Sequence, residues 1–135
     1  MKVERIDHFV LTVRDINTTC EFYSRLLGMQ VVTFSNGRRA LKFGQQKINL
    51  HQVGQEFEPK ALNPTPGSAD ICLITDISIK QVIKRITSFE VEIIVNEPIS
   101  RTGALGNIES IYFRDPDGNL IEISNYTLLE YSNPN

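Results

Sequence analysis

Only two histidines occur in the chain, His8 and His51, and each stands in an apolar stretch with strand character. His8 interrupts Ile6–Val13, and His51 closes Lys47-Ile48-Asn49-Leu50-His51. Two carboxylates intrude in the same way. Asp70 opens Asp70–Thr75, and Glu122 lies inside Leu120-Ile121-Glu122-Ile123. Imidazoles and carboxylates are the usual protein ligands of Zn, Ni, Mn and Fe. A carboxylate in an apolar strand is costly unless a positive charge meets it, and a metal ion would be one such charge. The ordinary alternatives are a satisfied core histidine and a turn-capping or ion-paired carboxylate. Period-two geometry sets Asn49 and His51 on one face, so that either of them is a candidate to face the same ion.

These four positions are related by an internal repeat. Residues 6–28 read strand, cap, helix, and residues 68–87 read the same way. Lining up the two strands sets His8 against Asp70. Ala40–His51 and Ser110–Ile123 each read strand, turn, strand, with Phe43 set against Phe113 and Glu122 against Asn49 or, with a small slip, His51. The second pair is joined by Asp115-Pro116-Asp117-Gly118, in which Pro presets φ and Gly accepts a positive φ. Each half is therefore β-α-β-β-β. The expected fold is α+β, two βαβββ modules related by pseudo-twofold symmetry and forming a curved mixed sheet around a central cavity. In such an arrangement His8, the Asn49/His51 end, Asp70 and Glu122 converge.

The helices read as scaffold. The first spans about Ile16 to Leu27, with Asp15 as N-cap, Gly28 as the residue past its end, and an apolar stripe of Ile16, Cys20, Tyr23 and Leu27. The second starts near Ser78 with a stripe of Ile79, Val82, Ile83 and Ile86. Two loops are longer than a compact domain needs. Residues 52–67 join the halves, and Asn96–Asn107 carries Arg101, a candidate contact for an anionic substrate against the alternative of a solvated loop arginine. Residues 127–135 read as a poorly ordered tail or a dimer contact.

The 135 residues suit a single domain, module one at about 4–51, linker 52–67, module two at about 68–126 and tail 127–135. A formal net charge of −2 and the absence of a basic, aromatic-laced run argue against a nucleic-acid or anionic-membrane surface. Met1–Arg5 lacks the apolar core of a signal peptide, and no segment approaches membrane-spanning length. Cys20 and Cys72, with no CxxC spacing, read as two buried thiols in a reducing cytoplasm.

The motifs together resemble the vicinal oxygen chelate superfamily, the glyoxalase/bleomycin-resistance/extradiol-dioxygenase group. They are His8–Asp15, the helix running from Phe22-Tyr23 to Leu27-Gly28, and Tyr112–Glu122. A closer similarity, to the group of glyoxalase domain-containing protein five and its bacterial relatives, rests on Lys47–His51, Glu56–Ala61, Pro66–Thr75, Arg101–Ala104 and Ser110–Pro116. The resemblance implies a divalent metal (Zn, Ni, Mn or Fe) held by His8, His51 or Asn49, Asp70 and Glu122, with Glu122 doubling as the catalytic base. It implies a lyase or isomerase acting on a small oxygen-rich substrate, with an extradiol-type dioxygenase and a non-enzymatic antibiotic-binding protein as alternatives. A homodimer is also expected from it. Two departures are visible: glyoxalase I usually carries Glu where Asn49 or His51 stands, and it and its dioxygenase and fosfomycin-modifying relatives usually carry His where Asp70 stands.

Overall fold

The computed structural model describes residues 1–95 and 97–127. The expected tail therefore lies, except for Thr127, outside the described residues. The chain divides into two units, one of Met1–Ala69 with Asp115–Gly118, the other of Asp70–Arg114 with the residues from Asn119 on. The first unit carries β1 (His8–Val13), α1 (Ile16–Leu27), β2 (Gln30–Phe34), β3 (Arg38–Phe43) and β4 (Gln46–Gln52). The second carries β5 (Asp70–Ile74), α2 (Ile79–Ser88), β6 (Ile99–Thr102), β7 (Asn107–Arg114) and β8 (Leu120–Tyr126). Both are βαβββ. Strand pairing closes within each module, giving two four-stranded mixed sheets of order β1-β4-β3-β2 and β5-β8-β7-β6. In each, the first strand runs parallel to the fourth, and the remaining pairs are antiparallel.

In the first unit Asp15 caps α1 by accepting from the Thr18 backbone N–H at 2.9 Å and from its hydroxyl at 2.6 Å. Gly28 ends the helix at φ 69°, the left-handed conformation that glycine takes without steric cost. The buried face of α1 is Thr19, Cys20, Tyr23 and Leu26. Leu26 replaces the expected Leu27, because 3.6-residue periodicity from Cys20 and Tyr23 reaches position 26 or 27 equally well. Against this face lie Leu11, Val13, Leu41, Ile48 and Leu50, all buried.

The second unit repeats the plan. Ser78 caps α2 through Gln81 N–H, and Ile79, Val82 and Ile86 are buried with Ile111, Phe113, Ile121 and Ile123. Asn125 fixes the approach to α2: its Oδ1 accepts from Ile79 N–H, and its Nδ2 donates to the carbonyls of Thr75 and Ile77.

Three further expectations change. Arg101 is in strand β6, not in a loop. Cys72 is exposed, whereas Cys20 is buried as expected. Strand register sets Leu41, not Phe43, at the position of Phe113, since Ala40 pairs with Asn49 where Tyr112 pairs with Glu122.

Candidate functional site

Register within each sheet defines which side chains share a face. His8 pairs with Lys47, and Asp70 pairs with Leu120 in the matching place. Two residues along, Asn49 pairs with Val10 and Glu122 with Cys72. Asn49 is thus the repeat equivalent of Glu122, and His51 is the equivalent of Ser124. All of them lie on the sheet face opposite their own helix.

On the second unit this face carries Asp70, Cys72, Glu122, Ser124, Ser110 and Tyr112. Glu122 is half-buried. Its Oε2 accepts from the Ser110 hydroxyl at 2.6 Å and lies 3.5 Å from the Ser124 hydroxyl. The hydroxyls of Ser110 and Ser124 are 2.6 Å apart, and both residues are fully buried. The carboxylate is therefore met by hydroxyl donors on one oxygen, and Oε1 has no hydrogen-bond donor among the described residues. The Cys72 thiol sits 3.3 Å from Ser124 Oγ. Desolvation, with the charges of Glu122 and Asp70 adding, raises its pKa and keeps it a thiol. Asp70 is exposed. Arg101 is on the same face, its Nε donating to the Tyr112 hydroxyl at 2.9 Å, and this bond raises its pKa further.

On the first unit His8 is 45% exposed, and its Nδ1 is 2.8 Å from Asp7 Oδ1. A carboxylate on one ring nitrogen fixes the ring and leaves Nε2 for another ligand. His51 differs. It is buried, and Arg38 Nη2 lies 3.5 Å from its Nε2. Burial first, and then the Arg38 guanidinium, push the imidazole pKa below its ordinary value, so the neutral ring accepts from Arg38. His8 and His51 are also four residues apart along paired parallel strands, about 13 Å, too far for one ion.

Phe57, from the segment after β4, lies across this end of the sheet. The Arg38 guanidinium is 4.3 Å from its ring centroid, and the His51 ring meets it edge-on at 5.6 Å. Between Arg38 and Lys42 lies Ala40, paired with Asn49, whose Oδ1 is buried with no hydrogen-bond partner among the described residues. Sequence reasoning missed Arg38 and Phe57. The adjacent Arg38-Arg39 pair alternates faces, and nothing local marks which one turns away from the helix.

The donor chemistry of His8, Asp70 and Glu122 suits a divalent metal of intermediate hardness. The environment of His51 does not, because a guanidinium occupies the approach to its Nε2. Among the described residues, no group of three His, Cys, Asp or Glu side chains is gathered closely enough to hold a metal ion.

The turn at Asp115–Gly118 is built into the first unit. The Tyr23 hydroxyl donates to Asp115 Oδ2 at 2.6 Å, while Asp115 Oδ1 accepts from Asp117 N–H. Burial and the Asp115 charge drive the Tyr23 pKa far upward, so the phenol stays a donor. Asp117 Oδ1 accepts from the Arg14 backbone N–H at 2.9 Å. No helix among the described residues is long and apolar enough to cross a membrane.

A family model, described as the Glyoxalase/Bleomycin resistance protein/Dioxygenase superfamily, matches residues 5–123. Virulence protein STM3117 of Salmonella typhimurium is 60% identical over 126 residues, covering 93% of this chain and 87% of that protein. Its crystal structure superposes with a TM-score of 0.92 at 58% identity, covering 94% of this chain and 100% of that one. Glyoxalase domain-containing protein RDO1 of Mycosarcoma maydis is 53% identical, covering 93% of this chain and 70% of its own length. Metallothiol transferase FosB of Staphylococcus epidermidis is 26% identical over 128 residues, covering 95% of this chain and 86% of its own. The two βαβββ modules, the matched span and these relatives agree, and the chain belongs to the glyoxalase/bleomycin resistance protein/dioxygenase superfamily.

Proposed function

We propose that the protein is a metal-dependent lyase or isomerase acting on a small oxygen-rich substrate, with Glu122 moving the substrate proton. The observation that supports this reading most is the state of Glu122. One of its oxygens is fixed by the Ser110 hydroxyl at 2.6 Å, and the other accepts no hydrogen bond among the described residues. A carboxylate oriented by one oxygen and open at the other is equipped to ligate a cation or to take a proton. His8, with Nδ1 held by Asp7, and Asp70 and Glu122 are the proposed metal ligands. Arg101 is the proposed contact for an anionic part of the substrate. A divalent ion bound there would supply Lewis-acid stabilisation of charge developing on substrate oxygens. The name of the FosB relative, a metallothiol transferase, is in keeping with metal chemistry on this fold. A homodimer in the cytoplasm is proposed on the family likeness alone.

A second reading is a binding module without chemistry, and the aromatic and cationic end of the first sheet favours it. A dioxygenase has less support, since the only histidine besides His8 is occupied by Arg38.

The experiment is proton exchange in deuterium oxide, followed by proton NMR. The protein is supplied with Mn(II), Ni(II) or Zn(II) and offered small 2-hydroxyketones and the hemithioacetal of methylglyoxal with a thiol. Exchange at the carbon beside the carbonyl, abolished in Glu122→Gln, is expected. Binding of the same compounds without exchange under any metal would replace the enzyme reading with the binding module.

A further inference from the structure

The first sheet holds a charge pattern that the proposed chemistry does not use. Its four strands carry Arg38, Arg39, Lys42 and Lys47 and not one Asp or Glu, in a chain whose formal net charge is −2. Arg38, Lys42 and Lys47 share the face opposite α1. Among the described residues, none of these three has an ion-pair partner. Two of them crowd one ring: Lys47 Nζ is 4.0 Å from the Phe34 centroid and the Arg38 guanidinium 5.5 Å. Arg38 is half-buried, and Phe57 lies over it. Beside it the neutral His51 offers an acceptor and no charge.

Like charges brought together on an aromatic ring, partly desolvated and with no carboxylate in ion-pair contact among the described residues, are unfavourable until an anion joins them. The acids nearby are engaged elsewhere: Asp7, whose charge reaches Lys47, is held by His8 Nδ1 at 2.8 Å and lies 3.8 Å from Arg5. Glu56 is engaged by the Gly54 backbone N–H at 2.9 Å, which holds its pKa low. Beside the cations stands the second observation, the Asn49 carboxamide. Asn49 is 7% exposed, and its buried Oδ1 accepts no hydrogen bond among the described residues. An unpaired buried acceptor on a face lined with cations calls for a hydroxyl or amine donor. An open cavity of about 570 Å³, lined by Asp7, Val32, Lys42 and Lys47 among others, reaches this face from solvent.

We infer that the first module carries a binding site for a small hydroxylated carboxylate. Its carboxylate sits between Arg38 and Lys47 at the Phe34 ring, and a hydroxyl donates to Asn49 Oδ1. Arg38 presents a planar fork matched to two carboxylate oxygens, and Phe57 and His51 hold that fork in place. The site lies wholly within the first unit and requires no metal.

The test is a titration of isotope-labelled full-length protein with glycerate and with propionate, in low salt and with chelator present, read by NMR. Glycerate is expected to bind saturably, with shifts concentrated at Arg38, Lys47 and Asn49. Arg38→Met and Lys47→Met are each expected to weaken it by roughly tenfold or more, as loss of one charge-assisted contact implies. Propionate, lacking hydroxyls, should bind more weakly than glycerate, and Asn49→Ala should erase that difference. Non-saturable shifts, or saturable binding unchanged in Lys47→Met, would overturn the site. Lys47 lies at the solvent edge, so this variant stays informative if Arg38→Met unfolds. With chelator present, failure here leaves the metal reading untouched.

Discussion

At the scale of the residue, two polar groups in the first unit carry measurable consequences. Tyr23 is fully buried, and its hydroxyl is a donor to the Asp115 carboxylate at 2.6 Å. Tyr23→Phe removes that donor from a charged acceptor and is expected to cost about 1.5–3 kcal/mol in urea unfolding, with little change in fold. His51 titrates below its ordinary 6.5. The unfolded chain therefore takes up this proton first as pH falls. The contribution to stability is fully present above about 6.5 and is lost as pH drops from there toward the lower folded value. Burial and the Arg38 charge are the leading causes, with Glu56 opposing them and Lys60 adding. Arg38→Met should move the His51 NMR titration midpoint upward, and His51→Gln should flatten the loss of stability between neutral and mildly acidic pH. An unmoved midpoint in Arg38→Met would mean that the guanidinium does not act on the ring.

At the scale of the element, one glycine fixes the segment that leads out of the first unit. Gly67 adopts φ +83°, and a Cβ there would meet the Asp117 carbonyl oxygen at 2.5 Å. Backbone, not a flexible side chain, is in the way. Gly67→Ala is expected to destabilise by about 1–3 kcal/mol, read as a lowered urea midpoint, because both the left-handed φ and the overpacking act against it. The Gly67 constraint was not legible in the sequence, but the helix ends were. Asp15, Gly28 and Ser78 cap their helices because a cap needs only its own neighbouring turn. The strand that holds His8 and its counterpart at Asp70 was legible from alternation and repeat. The second pairing was not, because the β3–β4 connection is the two residues Gly44-Gln45 and the β7–β8 connection is five. With unequal turns, aligning Phe43 with Phe113 is as plausible by residue type as the observed Leu41 with Phe113. Strand β6 escaped because Ile99-Ser100-Arg101-Thr102 is short, polar and near Pro98, with no alternation long enough to show. Arg38 and Phe57 escaped because their contact joins a strand to a segment nineteen positions away, beyond any periodic pattern.

At the scale of the whole molecule, the repeat gives two sheets of matching order but unlike chemistry. The second face presents carboxylates and hydroxyls around Glu122, and the first presents cations, rings and one unpaired carboxamide. The position that is Glu122 in one module is Asn49 in the other. A duplicated frame has thus diverged into one face rich in carboxylates and hydroxyls and another rich in cations. The bound cation is central to the proposed chemistry. The most direct measurement is Mn(II) binding to chelator-stripped protein, followed by the loss of the free-ion electron paramagnetic resonance signal, in wild type, His8→Ala and Glu122→Gln. One tight site per chain is expected in wild type, weakened by roughly tenfold or more in each variant. Equal titrations in all three proteins, or no binding of Mn(II) and none of Ni(II) or Zn(II) by competition, would contradict it.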